Sequence, residues 1–200
     1  MNNGYAQYKE IFKQNKGILR ASKAIRLGIP EYIIYEMTKN GDLVREARGL
    51  YRLTEIGPLG NPDLIQVALL IPKSVIFLIS ALYFHRLTTQ IPHRVYIALP
   101  REVKPPKIDY PPIKVYRLRH NPFISGIEEH EIDGVTVRIY NKEKTIADCF
   151  KYRNQIGMGI ALEALKDYMN ESSPKIENLI EFARINRVEK IMHPYIETLI

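Results

Sequence analysis

Cysteine is almost absent from the chain: Cys149 stands alone. An internal disulfide or a multi-cysteine zinc site is therefore excluded, and Cys149 reads as a small side chain packed inside. A reducing, cytoplasmic compartment is expected. There is no run of about 18 apolar residues, so no membrane-spanning helix is expected; the apolar stretch 74–84 is too short. The first residues, MNNGYAQYKE, are polar and do not read as a signal peptide. Missing too are the motifs GxGxxG, GxxxxGK, HExxH and GxSxG. His85, His93, His120, His130 and His193 have no metal-ligand spacing. Glu128, Glu129, Glu131 and Asp133 cluster, but as a solvated hairpin rather than a metal site. Ser80 and His85 do not form a nucleophile–base pair, because five helical residues separate them by about 140°. These absences predict no catalytic residues, no metal, no cofactor and no enzymatic activity. No segment repeats at a fixed period.

What is present is apolar material and an uneven charge. Two hundred residues at 46% hydrophobic content suffice for one large domain or two small ones. The net charge of +7 is polarised. Residues 1–60 carry 10 basic and 6 acidic side chains, residues 86–119 carry 8 and 2, and residues 120–200 carry 10 and 13. The basic excess lies in the first 120 residues, where it can face a polyanion or form an ordinary solvated surface.

Residues 20–53 hold the most informative pattern. Ser22 is expected to cap a short helix over 23–27, and Gly28 to make a turn. Pro30 is expected to open a second helix that continues over 31–39 and stops at Gly41. Two strands, 43–46 and 50–53, then flank Ala47-Arg48-Gly49. The order is a helix-turn-helix with a wing, a motif whose second helix lies in a DNA major groove. A helix over 5–15 with Tyr8, Ile11 and Phe12 on one face precedes it, and Ile18-Leu19 are expected to pair with the wing. Ala24, Ile25, Ile29, Ile33, Ile34, Met37, Leu43, Val44 and Tyr51 supply a small core. That leaves Glu31, Tyr32, Tyr35, Glu36, Thr38 and Lys39 on the second helix to face DNA. Arg20, Ser22, Lys23 and Arg26 bracket the first helix, and Arg45, Arg48 and Arg52 load the wing. Tyrosine and lysine suit phosphate contact, tyrosine also reaches base edges, and an arginine at a wing tip fits a narrow minor groove.

Residues 54–62 (TEIGPLGNP) read as a linker, with two glycines and two prolines in nine residues. Beyond it, Asp63 is expected to cap a helix over 64–70, and Ser74 a buried helix over 75–86. Strands are expected over 92–100 and 113–118, joined by an exposed, proline-rich basic loop. Residues 126–132 and 135–140 form a hairpin around Asp133-Gly134. Asn141 caps a helix over 144–153, and helices follow over 159–169, 175–186 and 188–200. Asp148, inside an apolar turn, is expected to bond Thr145 or a nearby lysine or arginine. The fold class is α+β: a winged helix-turn-helix domain over 1–56, a linker over 57–62, and over 63–200 a mixed α/β domain with a small sheet and several helices.

Several of these segments together resemble the AbiEi antitoxins, transcriptional regulators of viral defence systems. The carriers are LGI-x-x-x-I-I-x-x-M-x-x-x-G-D-L-V-R in the winged helix, RGLYRL in the wing, SALYFHRLTTQIP with VYIALP, and VRIYNKEKTIADCFKYRNQIG, together roughly residues 8–157. The resemblance implies an autorepressor that binds inverted repeats in its own promoter. It also implies a C-terminal domain countering a nucleotidyltransferase-like toxin without a stable complex, the type IV arrangement. DNA-reading residues would lie in 22–26, 32–39 and 45–52, and 142–153 is the segment taken for the antitoxin role. The alternatives are a winged helix that binds protein rather than DNA, and an enzyme with a degenerate transferase-like domain.

Overall fold

A computed structural model describes residues 3–105 and 107–199; Met1, Asn2, Pro106 and Ile200 lie outside the described residues, the last two being part of the expected basic loop and the last residue of the expected final helix. The architecture is mixed α+β with two sheets. It divides into two compact units, Met1–Leu70 with Glu131–Thr136, and Ile71–His130 with Val137–Ile200. Among the described residues no helix is long and apolar enough to cross a membrane.

The first unit opens with a short 3-10 turn, Asn3–Tyr5, and then α1 (Ala6–Gln14), β1 (Ile18–Arg20), α2 (Ala21–Arg26) and α3 (Glu31–Lys39). The hairpin β2 (Leu43–Ala47) and β3 (Leu50–Leu53), a 3-10 turn over Thr54–Ile56, and α4 (Pro62–Leu70) complete it. Its sheet runs β1-β3-β2 with all pairs antiparallel. Phe12, Leu19, Ala24, Ile29, Ile33, Ile34, Met37, Leu43, Tyr51 and Leu53 form its core. Two expected core residues are outside it: Ile25 is 44% exposed and Val44 36%. Side chains alternate along a strand, so burying Leu43 sends Val44 outward. The short α2 buries only Ala24. The expected linker also holds more structure than its composition suggests, since Thr54–Ile56 makes a 3-10 turn and α4 starts at Pro62.

The second unit contains β4 (Val75–Ile76), α5 (Leu78–Phe84), β5 (Val95–Pro100), β6 (Ile113–Leu118) and α6 (His120–Ile124). The hairpin β7 (Ile127–Ile132) and β8 (Val135–Tyr140) follows, its tip residues Glu131–Thr136 clustering with the first unit. Then come α7 (Lys142–Lys151), α8 (Arg153–Ile156), α9 (Met158–Met169), α10 (Ile176–Asn186) and α11 (Glu189–Glu197). The five strands are ordered β6-β5-β4-β8-β7; β4 is antiparallel to β5 and parallel to β8, and β5 is parallel to β6. The hairpin turn forms at Asp133 and Gly134, both at positive φ, as a tight two-residue connection requires.

One expected helix is corrected. Residues 75–86 do not form a single helix; Val75 and Ile76 form β4, in the middle of the sheet, and the helix begins only at Leu78. A short buried strand and a buried helix give the same unbroken apolar run, and the two β-branched residues here pair with β5 and β8. Ser74 caps nothing, donating instead to the carbonyl of Ile71 at 2.8 Å. The short α6 was not anticipated; Pro122 sits in its first turn, where a missing N–H costs little.

α7 is the centre of this unit, and Asn141 caps it as expected, its side chain accepting from the Lys144 amide at 2.8 Å. Every residue from Glu143 to Phe150 is buried. Lys144 and Asp148 are 0% and 1% exposed and form an ion pair at 2.5 Å. Asn186 of α10 donates to the second carboxylate oxygen at 2.8 Å, and the Lys144 ammonium lies 4.5 Å from the Tyr140 ring centroid. Burial pushes the Asp148 carboxyl up, opposed by the Lys144 ammonium and the Asn186 amide. Glu143 is likewise held, accepting from the Tyr168 hydroxyl at 2.6 Å.

His85 Nε2 lies 2.7 Å from the Tyr140 carbonyl, so the neutral ring donates from Nε2. Burial holds the His85 pKa below its ordinary 6.5; the carbonyl contact raises it, His130 lowers it, Glu128 raises it and Lys142 lowers it. Below about pH 6.5 the unfolded chain therefore binds more protons at this position than the folded one. The contribution to stability is full above that pH and is lost as pH falls toward the lower folded value. Urea unfolding at about pH 7.5 and about pH 5.5 should show lower stability in acid, and His85→Gln should flatten that part of the profile. An unchanged slope in the variant would show that His85 is not the titrating group.

Candidate nucleic-acid interface

The candidate face is built by short elements with strict turn requirements. Gly28 adopts φ +94, a conformation open to glycine, and swings the chain from α2 into α3. Pro30 is the residue before α3 rather than its first residue, and Glu31 occupies the first turn, where a carboxylate favours the helix dipole. Ser22 lies within the first turn of α2; the capping position belongs to Arg20, which makes no side-chain cap bond. α3 buries Ile33, Ile34 and Met37. Its opposite face carries Glu31, Tyr32, Tyr35, Glu36 and Lys39, all exposed, with Tyr32 66% and Tyr35 57% accessible. Thr38 does not join them: half-buried, it donates to the Ile34 carbonyl at 2.7 Å.

The wing is β2 and β3 joined through Arg48 and Gly49, with a register shift between Arg45 and Ala47. The Gly49 carbonyl accepts from the Ala21 amide at 2.8 Å, tying the turn of the wing to the start of α2. Arg45 is exposed, and its Nε points to the Ala47 carbonyl at 3.4 Å, across the irregularity. The buried Tyr51 hydroxyl has its pKa raised, first by desolvation; Arg45 opposes this, and Tyr35 and Glu31 add to it. Arg20, Ser22, Lys23, Arg26 and Arg48 are also exposed. Arg20 reaches toward the Leu69 carbonyl at 3.5 Å, and Arg26 lies back along α2 onto the Ser22 carbonyl at 3.3 Å.

Arg52 stands apart from the other nine expected residues. It is 7% exposed, its Nε is 2.5 Å from Glu46 Oε1, and its Nη1 donates to the Leu53 carbonyl at 3.1 Å. β3 is the central strand, and all four of its residues are buried, so the outward position expected from alternation is covered. The sequence reading missed the partner, Glu46, whose backbone carbonyl also accepts from Gln66 of α4 at 3.1 Å. Arg52→Ala should cost about 3 kcal/mol of stability, because it strands a largely buried carboxylate. The exposed change Lys23→Ala should stay within about 0.5 kcal/mol. Urea unfolding separates the two, and equal stabilities would refute the structural role of Arg52.

A helix-turn-helix with a β-hairpin wing, an exposed tyrosine-bearing second helix and surface arginines on the hairpin defines the class: a winged-helix module. Residues 6–54, about a quarter of the chain, match the family model described as "Transcriptional regulator, AbiEi antitoxin". The match supports the AbiEi resemblance over the winged helix itself. No curated protein sequence matches the chain. Among solved structures it is similar to the RV2827C protein from Mycobacterium tuberculosis, with a TM-score of 0.62 at 14% identity, over 92% of this chain and 72% of that one. At that identity the likeness is one of fold.

Proposed function

We propose that the protein is a DNA-binding autorepressor and antitoxin of a type IV toxin–antitoxin operon. The observation that carries the reading is the face of α3: Tyr32, Tyr35 and Lys39 stand exposed beside the arginine-bearing wing, inside the segment that matches the AbiEi regulators. In this reading α3 enters the major groove of double-stranded promoter DNA carrying inverted repeats. Arg45 and Arg48 follow the backbone or the adjacent minor groove, and Arg20, Ser22, Lys23 and Arg26 meet phosphates. Residues 1–56 supply the address, and residues 63–200 counter a nucleotidyltransferase-like toxin without a stable complex. Segment 142–153 falls almost wholly within the buried α7, so its contribution to antitoxicity would be structural support rather than direct contact.

A reporter driven by the protein's own upstream region tests the regulatory half. Expression of the protein should repress it several-fold, and unchanged output would contradict autorepression. One observation favours a second reading, in which the winged helix binds a protein: Ile25 and Leu27 are 44% and 42% exposed near the turn, and Glu31 and Glu36 sit on the reading helix. Recovery of a stable protein partner with no shift of promoter DNA would choose that alternative.

A further inference from the structure

A cleft in the second unit is not used by the proposed DNA-reading face. Its volume is about 330 Å³, within the roughly 300–1,000 Å³ of small-molecule sites. Four segments build it, with α5 supplying Ile79. The segment before β5 supplies Gln90, Ile91, Pro92, His93 and Arg94, while β5 and β6 supply Tyr96 and Lys114. The parallel register sets Tyr96 directly beside Lys114 and places Tyr116 two residues on, on the same face of the sheet. The Lys114 ammonium is 5.7 Å from the Tyr96 ring centroid and 5.5 Å from that of Tyr116. The two rings are stacked at 6.4 Å, which holds the half-buried lysine in place.

Three features give the cleft a chemical preference. First, no carboxylate lines it, and among the described residues neither Arg94 nor Lys114 has a carboxylate partner. Second, Glu163 is already occupied, accepting from both the amide and the hydroxyl of Thr89 at 3.1 Å. Third, the lining is mixed: Ile79, Ile91 and Pro92 are apolar, while Arg94 and Lys114 are cationic. The frame is fixed by Ser80, whose hydroxyl accepts from the Tyr96 amide at 3.0 Å and donates to the Arg94 carbonyl at 3.4 Å. Two lining cations without carboxylate partners, together with apolar lining residues, suit an anion that also carries a flat, apolar-faced group.

We infer that this cleft binds a nucleoside 5′-phosphate, either free or at the 5′ end of a strand. Arg94 and Lys114 take the phosphate, Ile91 and Pro92 cover a face of the base, and Gln90 offers an amide to its edge. The inference is independent of the promoter-binding reading, because none of its residues belongs to the winged helix.

The test is calorimetric titration of the full chain with AMP, adenosine, inorganic phosphate, and a thymidine trinucleotide with and without a 5′-phosphate. AMP or the 5′-phosphorylated trinucleotide should bind at least tenfold more tightly than adenosine, inorganic phosphate or the unphosphorylated trinucleotide. Whichever of the two binds more tightly identifies the source of the phosphate. Lys114→Met should weaken that binding at least tenfold. Arg94→Ser, at an exposed position, gives the same reading should Lys114→Met fail to fold. The proposal is overturned by an absence of binding at millimolar ligand. It is overturned equally by inorganic phosphate matching AMP, or by affinity that survives Arg94→Ser in folded protein.

Discussion

Asp148→Ala should destabilise the protein by about 3–5 kcal/mol, the range for removing one partner of a buried ion pair. The variant leaves the Lys144 ammonium fully buried, with the Tyr140 ring and no carboxylate to balance it. It also removes the acceptor for the Asn186 amide, so the packing of α7 against α10 loses its polar link. Replacing both charges together, Lys144→Met with Asp148→Leu, should recover most of the loss, since apolar replacements of similar volume are often neutral or better. Urea unfolding of the two variants measures the difference. An Asp148→Ala protein of unchanged stability would show that the pair is not buried in solution. Because α7 lies at the core of the second unit, the single variant should also reduce the proposed antitoxin activity through lowered abundance rather than through any lost contact.

The second large effect concerns α3. Tyr32→Ala with Tyr35→Ala removes the two most exposed aromatic side chains of α3. If they reach base edges, specific affinity should fall by roughly 1–3 kcal/mol per contact, while affinity for unrelated duplex stays nearly constant. Arg45→Ala with Arg48→Ala should behave differently, weakening both kinds of DNA alike and reducing the salt dependence by about one unit per lost phosphate contact. Fluorescence anisotropy on operator and scrambled duplexes resolves the two patterns. Tyrosine variants that weaken both duplexes equally would assign these side chains to the backbone.

The winged helix was readable in the sequence because backbone conformation there is dictated by residue type. Gly28 and Gly41 take positive φ, Pro30 precedes α3, and Asp133-Gly134 and Asn141 punctuate the second unit in the same way. The failures share a cause, which is that tertiary burial leaves no local mark. β4 is two residues inside an apolar run, and only its neighbours make it a strand. Arg52 follows the alternation of an outward wing residue, yet the central position of β3 covers it. Lys144 and Asp148 have the four-residue spacing of an exposed helical ion pair, and the partner that completes their buried network, Asn186, is 38 residues away. The cleft of the second unit is equally hidden: in sequence its basic residues belong to a charged segment and a strand, and only the parallel pairing of β5 with β6 brings Lys114 beside Tyr96.

The central claim is that the winged helix addresses the protein to its own promoter. Equilibrium binding of the full chain to its upstream DNA and to scrambled DNA of equal length, across a range of salt concentrations, tests it most directly. Arg20, Lys23, Arg26, Lys39, Arg45 and Arg48 are the exposed cations among the expected DNA-contact residues. If all six meet phosphates, log affinity should fall with log salt at a slope of about −5 per bound copy. Specific binding should remain at least about 10³-fold tighter than binding to scrambled DNA at physiological salt. Equal affinity for the two duplexes, or no binding to either at moderate salt, would contradict the account.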